Sequence, residues 1–192
     1  MKKGIMMVAV CVLVLMGVFA GVNVSRAKES KVMQAYDKKV EQLKKTKKYK
    51  SGVAEVRFSC GKGEKILVVT PKDNVYGDGE TISAVVYQFA GGKVKRIASV
   101  QSDGTAYPIM FTKDAILYGG HHRSGKLIIQ NGKATLKEIT NVYMESGKAV
   151  LTTYSVAKGE KTKISSKKIS QKKAEKLDYY TQSKGAKMIE FK

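Results

Sequence analysis

The chain has 192 residues, of which 36 are Lys or Arg and 16 are Asp or Glu, giving a formal net charge of +20. That length fits one domain of ordinary size with appendages and excludes a multi-domain machine. With 43% hydrophobic residues, 18 Gly and 2 Pro, the composition is neither collagenous nor wholly disordered, and the absence of Trp argues against aromatic-lined clefts that stack sugars or bases.

Residues 1–27 read as an export segment. Lys2 and Lys3 precede an uncharged apolar run over residues 5–22, and Ser25 and Ala27 place small residues where a signal peptidase cuts before Lys28. The rival reading is an uncleaved membrane anchor, because 18 apolar residues at helical rise cover ~27 Å, just enough for a bilayer core. Cys11 follows Val10 in the middle of the run, which does not fit lipoprotein processing. Cys60 is then the only thiol of the mature chain, so no disulfide partner exists within it.

Residues 28–50 form the second region, expected as a basic amphipathic helix. Val32, Tyr36, Val40 and Leu43 fall on one helical stripe, while the opposite face is charged and ends in lysines. From residue 51 the period changes to two. Strands are expected at 54–58, 66–70, 81–90, 93–100, 107–112, 115–118 and 126–130, followed by a return strand after Asn131 and Gly132, which suit a type I′ hairpin turn. A further hairpin is expected from 142–145 and 149–156 around Ser146 and Gly147. Ser170 suits an N-cap for a late helix over 170–180 with Ala174, Leu177 and Tyr180 facing inward, and 186–191 suits an edge strand. The expected class is α+β: a meandering antiparallel β-sheet of about eight strands over 51–192, flanked by an N-terminal and a C-terminal helix, after the export segment.

The charge is unevenly spread. Residues 28–192 carry 33 basic and 16 acidic residues; 28–50 and 158–192 hold most of the excess, and 51–157 is nearly balanced. Arg occurs only at 26, 57, 96 and 123, so specific nucleic-acid readout by planar guanidinium forks is not expected. Lysine-rich flanks suit diffuse attraction to an anionic envelope polymer or membrane surface.

Local chemistry offers little. His121 and His122 are the only histidines and lack a third metal ligand of the same kind. They remain candidates for a secreted hydrolase acting with Ser124 or Cys60, although neither lies in a nucleophile motif. Asp73, Asn74, Asp78, Gly79 and Glu80 do not meet calcium-loop spacing, and Gly61 and Gly63 do not meet phosphate-loop spacing; both stretches read as turns. No metal, cofactor or catalytic residue is assigned.

YQFAGGKVKRI at 87–97 and KISQKKAEKLDYY at 168–180 resemble a hairpin and a late helix of uncharacterised exported proteins and lipoproteins of clostridial-type Gram-positive bacteria, with similarity over residues 30–191. Where that family carries an acidic turn, this chain has Arg57, Ser59, Gly61 and Lys65, so the resemblance implies no cation site. It implies an exported domain on the extracellular side or outer face of the cytoplasmic membrane, with no activity attached. The expected function is therefore a non-enzymatic, envelope-associated binding domain, with a hydrolase or a subunit of a surface assembly as alternatives.

Overall fold

The computed structural model describes residues 28–192 except 62, 131, 145–147 and 183. The expected export segment with its expected cleavage position and Cys11, and residues Asn131, Ser146 and Gly147, lie outside the described residues. The fold is α+β, built on antiparallel sheets. Helix α1 (28–44) leads, through a 3-10 turn at Lys47–Tyr49, into β1 (Val53–Cys60), β2 (Glu64–Pro71), β3 (Ser83–Ala90) and β4 (Lys93–Gln101). These four form one sheet in sequence order. The chain continues through β5 (Met110–Phe111), β6 (Ala115–Gly120), β7 (Arg123–Gln130), β8 (Lys133–Thr140), β9 (Ala149–Ala157) and β10 (Glu160–Ile169), then α2 (Gln171–Leu177) and β11 (Lys187–Met188). Their sheet has the order β10-β9-β8-β7-β6-β5-β11. The single meander expected from sequence is thus two sheets packed face to face.

The core between the sheets is made by alternate residues of each strand. Ile66, Val68, Val86 and Ala98 of the small sheet meet Ile116, Leu127, Ile129 and Leu136 of the large one. The continuous apolar run of β2 has the cause expected of a central strand: Ile66 and Val68 face the large sheet while Leu67 and Val69 face α1. Val32, Tyr36, Val40 and Leu43 are all buried against that outer face. The Tyr36 hydroxyl donates to Lys65 O (2.7 Å) and accepts from Phe89 N–H (3.1 Å), so one side chain ties the helix to two strands. Arg57 reaches back to Asp37 at 2.8 Å.

Three expectations are corrected. Residues 142–144 are not a strand: Asn141 and Tyr143 have left-handed backbone (φ 60° and 61°) and turn the chain, leaving Val142 buried among Ile139, Ala149 and Ala174. Strand β9 pairs with β8 instead. The strand expected over 107–112 shrinks to Met110–Phe111, since Pro108 has no N–H to give a ladder and Ile109 N–H is spent on Thr81 O of the segment leading into β3. The lysine-rich flank from residue 158, where no strand is expected from sequence before the late helix, carries β10, the edge of the large sheet. Lys158 and Gly159, both at positive φ, form the two-residue hairpin loop that delivers it.

The late helix starts as expected, with Ser170 Oγ accepting from Lys173 N–H, but it stops at Leu177, so Tyr180 lies beyond it. After β11 pairs with β5, the chain crosses to the small sheet: Phe191 N–H bonds Gly79 O (2.8 Å), and Glu55 of β1 exchanges both backbone bonds with Lys192. The C-terminal segment therefore staples one side of the sandwich.

Candidate functional site

His121 and His122 form the two-residue connection between β6 and β7, where Gly120 pairs with Arg123. Both imidazoles are exposed, 4.7 Å apart between ring centroids, and His122 Nδ1–H donates to Val142 O at 2.9 Å. Ser124 is close in sequence but buried, accepting from Tyr180 N–H (3.0 Å) and bonding to Asp178. Burial by itself would raise the Asp178 carboxyl, yet hydrogen bonds from Ser124, Thr181, Tyr143 and the Tyr180 N–H hold it below the usual carboxylate range. That carboxylate is a fastener for the 178–182 turn. Cys60 is fully buried at the end of β1, and burial pushes its thiol up to about 11, so it is protonated and shielded at neutral pH. Among the described residues, no three His, Cys, Asp or Glu side chains converge as a metal set would require. The stretch 72–80 is a 3-10 turn followed by a short bridge between Tyr76 and Glu80.

A different constellation lies on the inner face of the large sheet. Tyr118, Gly125, Glu138, Thr152 and Ser166 are successive cross-strand partners from β6 to β10. Gly125 is required there, because a Cβ at that position would stand inside the Tyr118 ring. The ring lies over the glycine, and its hydroxyl reaches Glu138 Oε2 at 2.5 Å. Arg123 Nη1 and Lys161 Nζ approach the same oxygen at 4.0 and 3.8 Å, too far for hydrogen bonds. Arg123 also bonds Gln101 O (3.0 Å) and Asp103 and sits over the Tyr118 ring, 5.4 Å from its centroid. Burial, then the neighbouring Glu138 charge, drives the Tyr118 phenol far above its ordinary range, so it stays a hydrogen-bond donor.

This cluster borders a cleft of about 460 Å³. The cleft has a structural origin. The ladder between β2 and β3 ends at Val69 and Val85, although β2 runs on to Pro71 and β3 begins at Ser83. The two strands part there, and Thr70, Ser83 and Gln101 line the gap on one side with Tyr118, Arg123 and Lys161 on the other.

Comparison with protein-family models, with curated proteins and with solved structures finds no match to this chain. The geometry alone therefore carries the functional reading.

The second feature is the outer edge of the large sheet. Nine of the ten residues of β10 are exposed, and four of the ten are lysines. A bulge at Ile164 shifts the register between Lys163 and Ser165. Lys161, Lys163 and Lys168 consequently oppose Val156, Tyr154 and Val150, alternate residues of one β9 face, whereas Lys167 opposes Leu151. Were β10 regular over these same residues, with Ile164 paired in the ladder, Lys168 would project from the opposite face to Lys161 and Lys163. The bulge collects three charges into one row.

Sequence reasoning missed Tyr118, Glu138, Thr70 and Lys161. Two signals pointed to them: Gly125 interrupts a strand pattern, and Glu138 occupies the apolar-face parity of Ala134 and Leu136 in β8.

Proposed function

We propose that this protein is an exported, envelope-associated, non-enzymatic binding domain that holds an anionic envelope polymer along the lysine row of β10. The observation that carries the reading is the bulge at Ile164, which places Lys161, Lys163 and Lys168 on one side of an exposed edge strand. Their spacing along the strand, at ~3.4 Å per residue, is about 7 Å for the first pair and about 14 Å for the second. A polymer with repeated negative charge can meet all three at once, and linked weak contacts add through effective concentration.

Competing partners fit less well. Ile164 is the only large apolar side chain exposed in β10, so the row lacks the apolar face that seats a protein in a lipid interface. Specific nucleic-acid readout is disfavoured because the three arginines of the described chain are engaged, Arg57 by Asp37 and Glu55, Arg96 by Ser99, and Arg123 by Asp103. The hydrolase reading gains nothing from the His121–His122 turn, where both rings are exposed.

The test is retention on washed envelopes. The natively expressed protein should be held at ~0.01 M salt and released toward ~1 M, as the screening length falls from about 30 to about 3 Å. Equal release at both ends overturns the reading, as does retention that anionic lipid vesicles reproduce in full. The N-terminal residue of the native protein decides the export fate: Lys28 in the medium marks cleavage, and Met1 in the membrane marks anchoring.

A further inference from the structure

The gap where β2 and β3 part is more than a packing defect. Its lining carries three cations, Lys48, Arg123 and Lys161, and no Asp or Glu. Two of its hydrogen-bond donors are buried with nothing to bond: the hydroxyl of Thr70, a residue with 0% exposure, and Nε of Arg123. An unmade hydrogen bond on a buried polar group is costly, and native proteins rarely leave one without a use. Both orphans lie where the small sheet faces Tyr118, and Lys161 stands beside them, 3.8 Å from Glu138 Oε2 and 5.7 Å from the centroid of the Tyr154 ring, with no hydrogen bond to either. The remaining polar lining is neutral: Ser83 Oγ accepts from Asn74 and Ser99 Oγ accepts from Arg96, which leaves each hydroxyl proton free to donate. The volume, about 460 Å³, is within the range of small-molecule sites.

We infer that this cleft binds a small hydroxyl-rich anion, of the kind represented by a sugar phosphate or a uronate. The charged group accepts from Thr70 Oγ1 and Arg123 Nε and faces Lys161, while the ligand hydroxyls meet Ser83, Ser99 and the Gln101 amide. An apolar ligand would leave these groups unpaired, and a neutral polyol would bring no negative charge to a lining that holds three cations and no acid. The cleft and the lysine row share Lys161 alone, so the inference stands without the polymer reading.

The experiment titrates the full-length protein with glucose 6-phosphate, glucuronate, inorganic phosphate and glucose, following heat of binding and thermal midpoint. Glucose 6-phosphate or glucuronate should bind and raise the midpoint, with the tighter of the two separating phosphate from carboxylate recognition. Glucose should not bind, and inorganic phosphate should bind more weakly than the better sugar anion. Thr70→Val is the decisive variant because it keeps shape and removes only the orphan hydroxyl. Its unliganded midpoint should be unchanged or higher, while affinity for the sugar anion falls roughly tenfold, the value of one hydrogen bond to a charged group. Arg123→Gln should abolish binding, and Lys163→Gln with Lys168→Gln should leave it intact. Failure of both sugar anions to bind, equal binding of glucose, or wild-type affinity in Thr70→Val overturns the inference. Envelope retention that survives Thr70→Val but not the Lys163 and Lys168 replacements shows that the two readings fail or stand separately.

Discussion

Helix α1 and strand β10 are the two lysine-rich segments that flank the rest of the domain, and they use the same residue in opposite ways. In α1 the lysines occupy the solvent face of a helix whose other face buries Val32, Tyr36, Val40 and Leu43 against the small sheet. In β10 nearly every side chain is exposed, and only Ile169 is buried. The first segment is held by side-chain packing, the second by backbone pairing to β9. A lysine count cannot distinguish them. What does is whether an apolar residue recurs every three or four positions, because only then does folding remove a continuous surface from water.

Mutations should separate the two segments most sharply at Tyr36. Tyr36→Ala removes a fully buried ring and should cost about 3–5 kcal/mol, read as a lower midpoint in thermal or denaturant unfolding. If the cost is below ~1 kcal/mol, α1 is not part of the core. Tyr36→Phe keeps the ring but strands Lys65 O and Phe89 N–H, at about 1–2 kcal/mol.

The same residue gives a pH signature. Burial pushes the Tyr36 phenol up to about 12 from an ordinary value of 10.0. A folded-state value raised in this way contributes stability that is complete below 10 and disappears as pH rises through about 12. The stability difference between the protein and Tyr36→Phe should therefore narrow between pH 10 and 12, as followed by urea unfolding; a difference constant across that range contradicts the assignment.

Changes in β10 should barely register in stability. Replacing Lys163 and Lys168 by Gln should shift unfolding by no more than ~0.5 kcal/mol, yet move release from envelopes to lower salt. Smallest of all is deletion of Ile164. The bulged residue has no partner on β9, so its loss should leave every cross-strand pair and the lysine row in place, with unchanged retention. A large loss of either stability or retention would show that the bulge does more than set parity.

How far the fold could be read from sequence follows the same division. The α1 stripe, the two-sided apolar run of β2 and the Gly91–Gly92 turn between β3 and β4 were legible because local period and turn chemistry agree with the tertiary outcome. Strand β10 was not: KTKISSKK has no alternating apolar residue to mark it, and it is a strand because β9 would otherwise present an unpaired edge. Lysines along that edge also deter pairing with another chain. Part of the signal was present in Lys158–Gly159, a two-residue loop after an apolar strand. The cleft was still less legible. Thr70 and Glu138 are 68 positions apart in sequence, and nothing local to either says that β2 and β3 part at one and that Tyr118 reaches across Gly125 to the other.

The sequence by itself determined the excess of lysine over arginine, the single cysteine of residues 28–192, the amphipathic helix and the antiparallel hairpins, since each rests on composition or on contacts between near neighbours. Only the tertiary structure decided that the hairpins divide into two facing sheets, that the bulge at Ile164 aligns three lysines, and that Thr70 and Arg123 are left with unpaired donors beside a cationic gap. Those features depend on strand register and on which faces meet, and a one-residue change of register reverses every side chain it touches.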